Sequence, residues 1–489
     1  MATTSTARME GIPFGTDKLF TDHSEPESDT AEGHASSDEK RVDTELAAPL
    51  DSPLPHLHSQ GDDGPPNGGF TAWLQVLSSF FIFFNTWGVL NTFGIFQTYY
   101  ETGALFHQSS SNISWIGAIQ AYTVLISGII AGPVYDRGYL LVLVSLGSFL
   151  VGFGFMMLSL CTTYWQALLA QGFCIGIGGG LLFVPSMAVL PGYFTTRMGL
   201  ATGLAVAGSS FGGIIYPIVF YRLLNQVGFP WAVRTVGFLS LATLLVPVLF
   251  MRARVKPVRP RELFDWTMFT DIPIVLFTLF TLVGYVGLYV VLFYISYFAL
   301  ASGSATQEMS FYLVPILNAA SMLGRTIPNA LSDKIGPLNS KFFFVLINLS
   351  TCSRELTNNQ KKKVLIPGSL ICAALTFSLI AVNSLAGVII VALLYGFFSG
   401  VFIALPPVCF VALTADKSKV GTRMGMGFAF LGFGVLSGGP GGGSVLGSGL
   451  VHENWVRLWS YGGTMTIAST VLMLGLRMWL TGGRLWVRI

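Results

Sequence analysis

Gly132-Pro-Val-Tyr-Asp-Arg-Gly138 follows one long apolar stretch, and Asn329-Ala-Leu-Ser-Asp-Lys-Ile-Gly336 follows another, 197 residues later. Each sets an acid beside a base just past an apolar run: Asp136-Arg137 in the first, Asp333-Lys334 in the second. A polar motif that recurs at one place in both halves of a chain is the mark of a duplicated membrane bundle. Two further matches extend the repeat. Phe183-Val-Pro185 corresponds to Ala404-Leu-Pro406 and Arg197-Met-Gly199 to Arg423-Met-Gly425, at offsets of 221 and 226 residues.

The offset grows by 24 residues after the acid–base motif, so the second half carries an insertion there. Ser340–Lys363 is the candidate, reading SKFFFVLINLSTCSRELTNNQKKK. Its apolar part, Phe342–Leu349, is too short to cross a bilayer. One reading is a retained intron translated in frame, since Ser-Lys can be encoded by a GTAAG donor and Leu-Thr by a CTAAC branch sequence. The other is a cytoplasmic loop with an interfacial helix.

Composition sets the class. Of 489 residues 52% are apolar and 10% charged, where an ordinary soluble domain carries about 25% charge. A soluble fold, a disordered scaffold, a secreted disulfide framework and a nucleic-acid binder all fit poorly. The net charge of +3 hides an asymmetry: residues 1–66 hold 14 acids and 4 bases. That segment has no apolar period and no signal-peptide pattern, and it reads as a disordered acidic cytoplasmic tail.

Beyond it, apolar stretches of about 20 residues recur near 71–96, 115–135, 139–160, 165–190, 199–223, 232–252, 271–299, 309–331, 364–383, 386–413, 422–450 and 456–479. The predicted fold is an all-α membrane protein with twelve transmembrane helices in two pseudo-symmetric six-helix bundles. The bundles cover 67–252 and 271–489, the second holding the insertion at 340–363, and a basic cytoplasmic linker at 253–270 joins them. With the amino terminus inside, 19 of the 23 bases after the tail fall at cytoplasmic ends. Both termini are then cytoplasmic. The five cysteines have no metal-ligand spacing.

Arg325 is the most informative residue. It lies inside span 8, where a guanidinium is costly unless it faces water or a partner. Asn318, Ser321, Arg325 and Asn329 share one helix face, and the planar fork of an Arg suits a carboxylate. The plainer reading is an Arg that snorkels or pairs with Asp333, about 12 Å further along. Asn91 in span 1, Gln120 in span 2 and Tyr289 in span 7 add polar groups to a candidate cavity. Each singly is more often helix–helix glue. Asp136, Arg137, Asp333 and Lys334 are gating candidates, because an acid at a helix end can latch to a neighbour in one state and release it in another. The glycine runs 176–180 and 199–212 suit close helix packing, and Ser437-Gly-Gly-Pro-Gly-Gly-Gly443 predicts a break or kink in span 11. No phosphate-binding loop, metal cluster or paired intramembrane carboxylate points to an enzyme.

With these residues in view, the chain resembles the major facilitator superfamily over about 70–480, and within it the fungal branch of the monocarboxylate transporters. Asn67-Gly-Gly-Phe-Thr-Ala-Trp73, the run Trp87–Tyr100, Ile113–Gln120 and Gly324-Arg325 with Asp333-Lys-Ile-Gly-Pro-Leu-Asn339 carry the resemblance. It implies rocking-type alternating access around a central cavity, and Arg325 matches the family's span 8 arginine. The family's Asp four residues earlier is replaced by Ser321, and its span 1 Lys by Asn91. These departures keep an anion contact and remove the usual proton partner. The expected function is secondary transport of a small organic solute, monocarboxylate-like or an amphiphilic anion. The bilayer is the surrounding partner, protons are a candidate co-solute, and no cofactor or nucleic acid is involved. The resemblance implies a plasma-membrane location. The alternatives are an efflux carrier for a fungal secondary metabolite and a nutrient sensor on a transporter scaffold.

Overall fold

Backbone groups in hydrocarbon must pair within their own segment, so long apolar runs become helices. The computed structural model describes residues 66–254, 263–335, 365–404, 406, 410, 413–414, 419–447 and 452–480. The tail and the Ser340–Lys363 insertion lie outside the described residues. So do the side chains of 328–335, which include Asp333 and Lys334. Among the described residues the chain is helical, with no strand.

Among the described residues six stretches have the length and apolar character to cross a membrane. They are α1 (Phe70–Glu101), α2 (Ser110–Asp136), α3 (Leu140–Leu158), α4 (Tyr164–Gly192), the long Met198–Phe250 and α7 (Ile272–Ala301). Met198–Phe250 is two helices, because Gly228 takes φ 77°, a conformation open to glycine, just before Pro230. We call them α5 (198–227) and α6 (229–250). They are followed by α8 (Gln307–Ile335), α9 (Leu365–Ser378), α10 (Leu385–Ala404), α11 (Val420–Leu446) and α12 (His452–Leu480). The order follows the sequence reading. The count of twelve crossings stays with that reading, because several of the later stretches border residues outside the described set.

Three details differ from expectation. First, α1 extends past position 96 to Glu101 and bends at Thr86 and Thr92. Each threonine hydroxyl returns to the carbonyl four residues back, Ile82 and Gly88 respectively, which bends a helix. Second, α4 contains a π-helical stretch, Leu168–Ile175. Third, of the break or kink expected in span 11 the break is absent: α11 runs through the Gly-Pro segment and ends at Gly447, with φ 67°. There the carbonyl of Pro440 accepts from the hydroxyls of Ser111 and Ser444, each at 3.0 Å.

The first and second halves of the chain meet along α2 with α11, α5 with α8, and α1 with α7. Within the first half α1 and α5 cross very closely: a Cβ on Gly88 would lie 2.8 Å from the Cα of Gly212. The glycine run of α5 therefore serves packing.

Candidate functional site

Arg325 sits where α8 meets α5, about 25 Å along its helix from Glu308, and is 3% exposed. Its Nη1 donates to the hydroxyl of Ser209 on α5, a bond between the two halves. The amide of Asn91 on α1 donates to the carbonyl of the same Ser209 at 3.4 Å. Tyr285 and Tyr289 on α7 stand within electrostatic range of the guanidinium. Residues of α1, α5, α7 and α8 thus gather around one buried cation. Three of the predicted residues, Arg325, Asn91 and Tyr289, belong to this group.

The others are placed differently. Asn318 is buried and its amide lies against Gly213 of α5, where a Cβ would come within 2.5 Å of it. Its Nδ2 donates to Val314 of its own helix at 3.0 Å. Ser321 faces α10 at Gly400, where a Cβ would lie 2.9 Å from its hydroxyl, so it shares the stripe only in projection. Gln120 is buried on α2, and its Oε1 has no hydrogen-bond partner among the described residues. Asp136 is buried at the last turn of α2, while Arg137 beside it is exposed.

Sequence reasoning missed Ser209, the residue that joins Asn91 to Arg325. The available signal was Ser209-Ser210, a polar pair inside a helix otherwise spaced by glycines.

Polar networks also mark the two ends of the bundle. At the Glu101 end they cross between halves. Ser111 bonds Pro440 and Ser444, and Ser114 bonds the hydroxyl of Tyr294. Tyr294 also reaches the carbonyl of Gly439 at 3.0 Å. Behind them Glu101 accepts from Gln97 at 2.7 Å and from Ser110 at 2.8 Å. Arg222 on α5 also pairs with Glu308 on α8, both well exposed.

At the opposite end, where α2 finishes at Asp136, two clamps run within a half. Ahead of α1, Asn67 Oδ1 accepts from the backbone of Thr195 and Thr196 and from the Thr195 hydroxyl, at 2.6–2.9 Å. Ahead of α7, Asp265 accepts from Arg423 Nε at 2.7 Å and from Lys419 at 3.3 Å. Asp271 takes a second guanidinium nitrogen of Arg423 at 2.9 Å. Burial favours the neutral form of the Asp265 carboxyl, but hydrogen bonds from Thr267, Arg423 and Lys419 outweigh it and hold the group well below the usual carboxylate range.

A fixed guanidinium between two bundles, with hydroxyl and amide neighbours, can bind an anion. Comparison with known proteins agrees with that architecture. A family model described as Major Facilitator Superfamily matches residues 74–352. The chain is 55% identical over 403 residues to the MFS-type transporter dbaD of Emericella nidulans, covering 82% of this chain and 85% of that protein. It is 34% identical to the aspyridones efflux protein apdF of the same organism, over 84% of this chain and 79% of that one. It is 33% identical to the fujikurins efflux protein of Gibberella fujikuroi, over 94% and 93%. A solved structure of a mutant of the nucleoside transporter NupG aligns with a TM-score of 0.61 at 14% identity, over 83% of this chain and 99% of that one. That last likeness speaks for the fold. With relatives that are transporters rather than enzymes, and with its helical halves meeting around a buried arginine, the chain belongs to the Major Facilitator Superfamily.

Proposed function

We propose that this transporter exports a small anionic or amphiphilic organic molecule by alternating access, and that Arg325 holds the anion. The carrying observation is the buried Arg325, bonded to Ser209 across the halves and flanked by Asn91, Tyr285 and Tyr289. Asn318 and Gln120 line the approach, and Ser321 supports α8 from behind. The names of the relatives apdF and the fujikurins efflux protein support export, and of a fungal secondary metabolite in particular. The resemblance of 67–73 and 87–100 to monocarboxylate transporters supports an acidic solute.

The distribution of bases supports a topology with both termini cytoplasmic, in the plasma membrane. The Glu101 end is then outer and the Asp136 end inner. Bundles 67–252 and 271–489 rock about the central site, joined by 253–270. Asp136 with Arg137 and Asp333 with Lys334 act at the inner helix ends.

The test is flux in transporter-deficient yeast carrying the full chain, the Arg325→Gln variant or a chain lacking 340–363. The labelled panel holds short monocarboxylates, aromatic acids and acidic polyketides. A charge-assisted hydrogen bond is worth about 1.5–3 kcal/mol. Arg325→Gln should therefore cut the flux of an accepted acid by about tenfold or more. Unchanged flux in that variant, or a correctly inserted chain that moves none of the panel, would count against the reading. If the chain lacking 340–363 alone is active, the insertion is not part of the working protein.

A further inference from the structure

Glu101 differs from the other polar anchors of the bundle. It lies partly buried where α1 ends, and among the described residues it has no cationic partner. Its contacts are neutral: the Gln97 amide at 2.7 Å and the Ser110 hydroxyl at 2.8 Å. Ser110 is the first residue of α2, so the carboxylate also stands at a helix amino end, which favours its charge. The carbonyl of Ser110 in turn accepts from Gln97 at 3.5 Å, from Ser114 at 2.6 Å and from Tyr294 at 3.4 Å. Tyr294 belongs to the other half. Glu101 is thus two contacts from the seam that closes this end.

A second observation shows what a proton would do here. Gln97 is fully buried, and its Oε1 has no hydrogen-bond partner among the described residues. A neutral Glu101 carries an O–H that needs an acceptor, and this amide oxygen lies on the side chain already in contact. Turning the amide to present that oxygen withdraws its N–H from Glu101 and from the Ser110 carbonyl. Neutralisation also ends the attraction of the carboxylate to the α2 amino end and weakens its hold on the Ser110 hydroxyl. The corner that positions Ser110, Ser111 and Ser114 against α7 and α11 loses its anchor.

The neighbouring titratable groups do not substitute for this one. Tyr294 and Tyr297 face it from α7. His107 lies against Gly103 in the connecting loop. Arg222 and Glu308 at this end pair with one another. The other side-chain donors at the start of α2 are serine hydroxyls and the Asn112 amide, which bonds Gln108.

We propose that Glu101 is the proton-binding residue of this carrier: charged, it fastens the α1–α2 corner to the opposite half, and on taking a proton from solvent at that end it releases the seam. This rests on the transport reading, but its test does not need a transported solute. Ser111 and Ser444 are replaced by cysteine in the full chain, since their hydroxyls stand 3.0 Å apart across the seam. In membranes, the Ser111–Ser444 cross-linked peptide is quantified after mild oxidation at about pH 7.5 and about pH 5, on either side of the upper carboxylate range.

With Glu101 present, acidification should lower the yield about threefold more than in the Glu101→Gln variant. That variant should give the lower yield at about pH 7.5, and the two should converge at about pH 5. Thiol chemistry contributes equally to both, so their difference isolates Glu101. Glu101→Asp keeps the carboxyl, should keep the response, and serves if the Gln variant fails to insert. An identical pH response in Glu101 and Glu101→Gln chains would overturn the proposal. So would no response in the parent. Because no solute is added, a failure of the flux assay leaves this result standing on its own.

Discussion

Glu101 and Asp265 are carboxylates in different halves and at opposite ends of the helical array, and they are held in opposite ways. Asp265 is met by a guanidinium and an ammonium, and its bonds stay within the second half of the chain. Glu101 is met by an amide and a hydroxyl, and the network behind it crosses to the other half. A carboxylate between cations keeps its charge across the working pH range. A carboxylate between neutral donors can gain or lose a proton at little cost. The first arrangement suits a part that must stay rigid while bundles move, and the second suits a part that must let go.

The clamps on the Asp136 end carry the contrast further. Asn67 and Asp265 lie 198 residues apart, one more than the offset of the acid–base motif. Each precedes the first helix of its half and grips the chain that opens the fifth, Thr195-Thr196 in one case and Lys419 with Arg423 in the other. The geometric task is the same. The first half performs it with a neutral amide on backbone donors, the second with a charge on charges.

The largest effect should come from removing the charged clamp. Asp265→Ala leaves Arg423, itself nearly buried, with Asp271 as its described carboxylate partner, at a cost of about 3 kcal/mol. Thermal unfolding of the purified chain should fall by several degrees, and an unchanged midpoint would show that the clamp is idle. Asn67→Ala removes a cap-like acceptor and should cost only about 1 kcal/mol. Equal losses at the two sites would erase the distinction drawn between them.

The pH dependence has a definite sign. The folded carboxyl of Asp265 is depressed, so its contribution is complete above the unfolded value of about 3.9. It is lost only as pH falls from there toward the folded value. The Asp265 clamp should therefore be indifferent to pH between about 5 and about 8, where the Ser111–Ser444 seam responds.

A smaller change sharpens the seam at the Glu101 end. Tyr294→Phe keeps the ring and deletes one hydroxyl, with its contacts to Ser114 and Gly439. Loss of about 1 kcal/mol from the closed form shifts the closed-to-open ratio about fivefold, read as a lower Ser111–Ser444 cross-linking yield at neutral pH. A yield equal to that of the parent would place the hold on α2 elsewhere.

The helical order, the break between α5 and α6 and a buried guanidinium at Arg325 that needs a polar partner were legible in the sequence, because hydropathy and an intramembrane charge are one-dimensional signals. The choice of partners was not. Ser321 shares a helical stripe with Arg325, yet it packs on Gly400, because the neighbour that fills each sector of a helix is set by tertiary packing. Ser209 is an unremarkable residue in a glycine-rich helix until α1 and α8 are brought to it from either side. Glu101 fell just beyond a span expected to end near 96, whereas α1 continues through two threonine bends to that residue. The charged clamp joins residues more than 150 positions apart, a distance that no local pattern reports.

The central claim, that Arg325 reads the charge of the solute, has one direct measurement. Binding of an accepted acid and of its methyl ester is compared by isothermal titration to the purified full chain and to Arg325→Gln. The account predicts that the parent binds the acid at least about tenfold more tightly than the ester, and that the variant binds both alike. A variant that still prefers the acid by the same factor would contradict it.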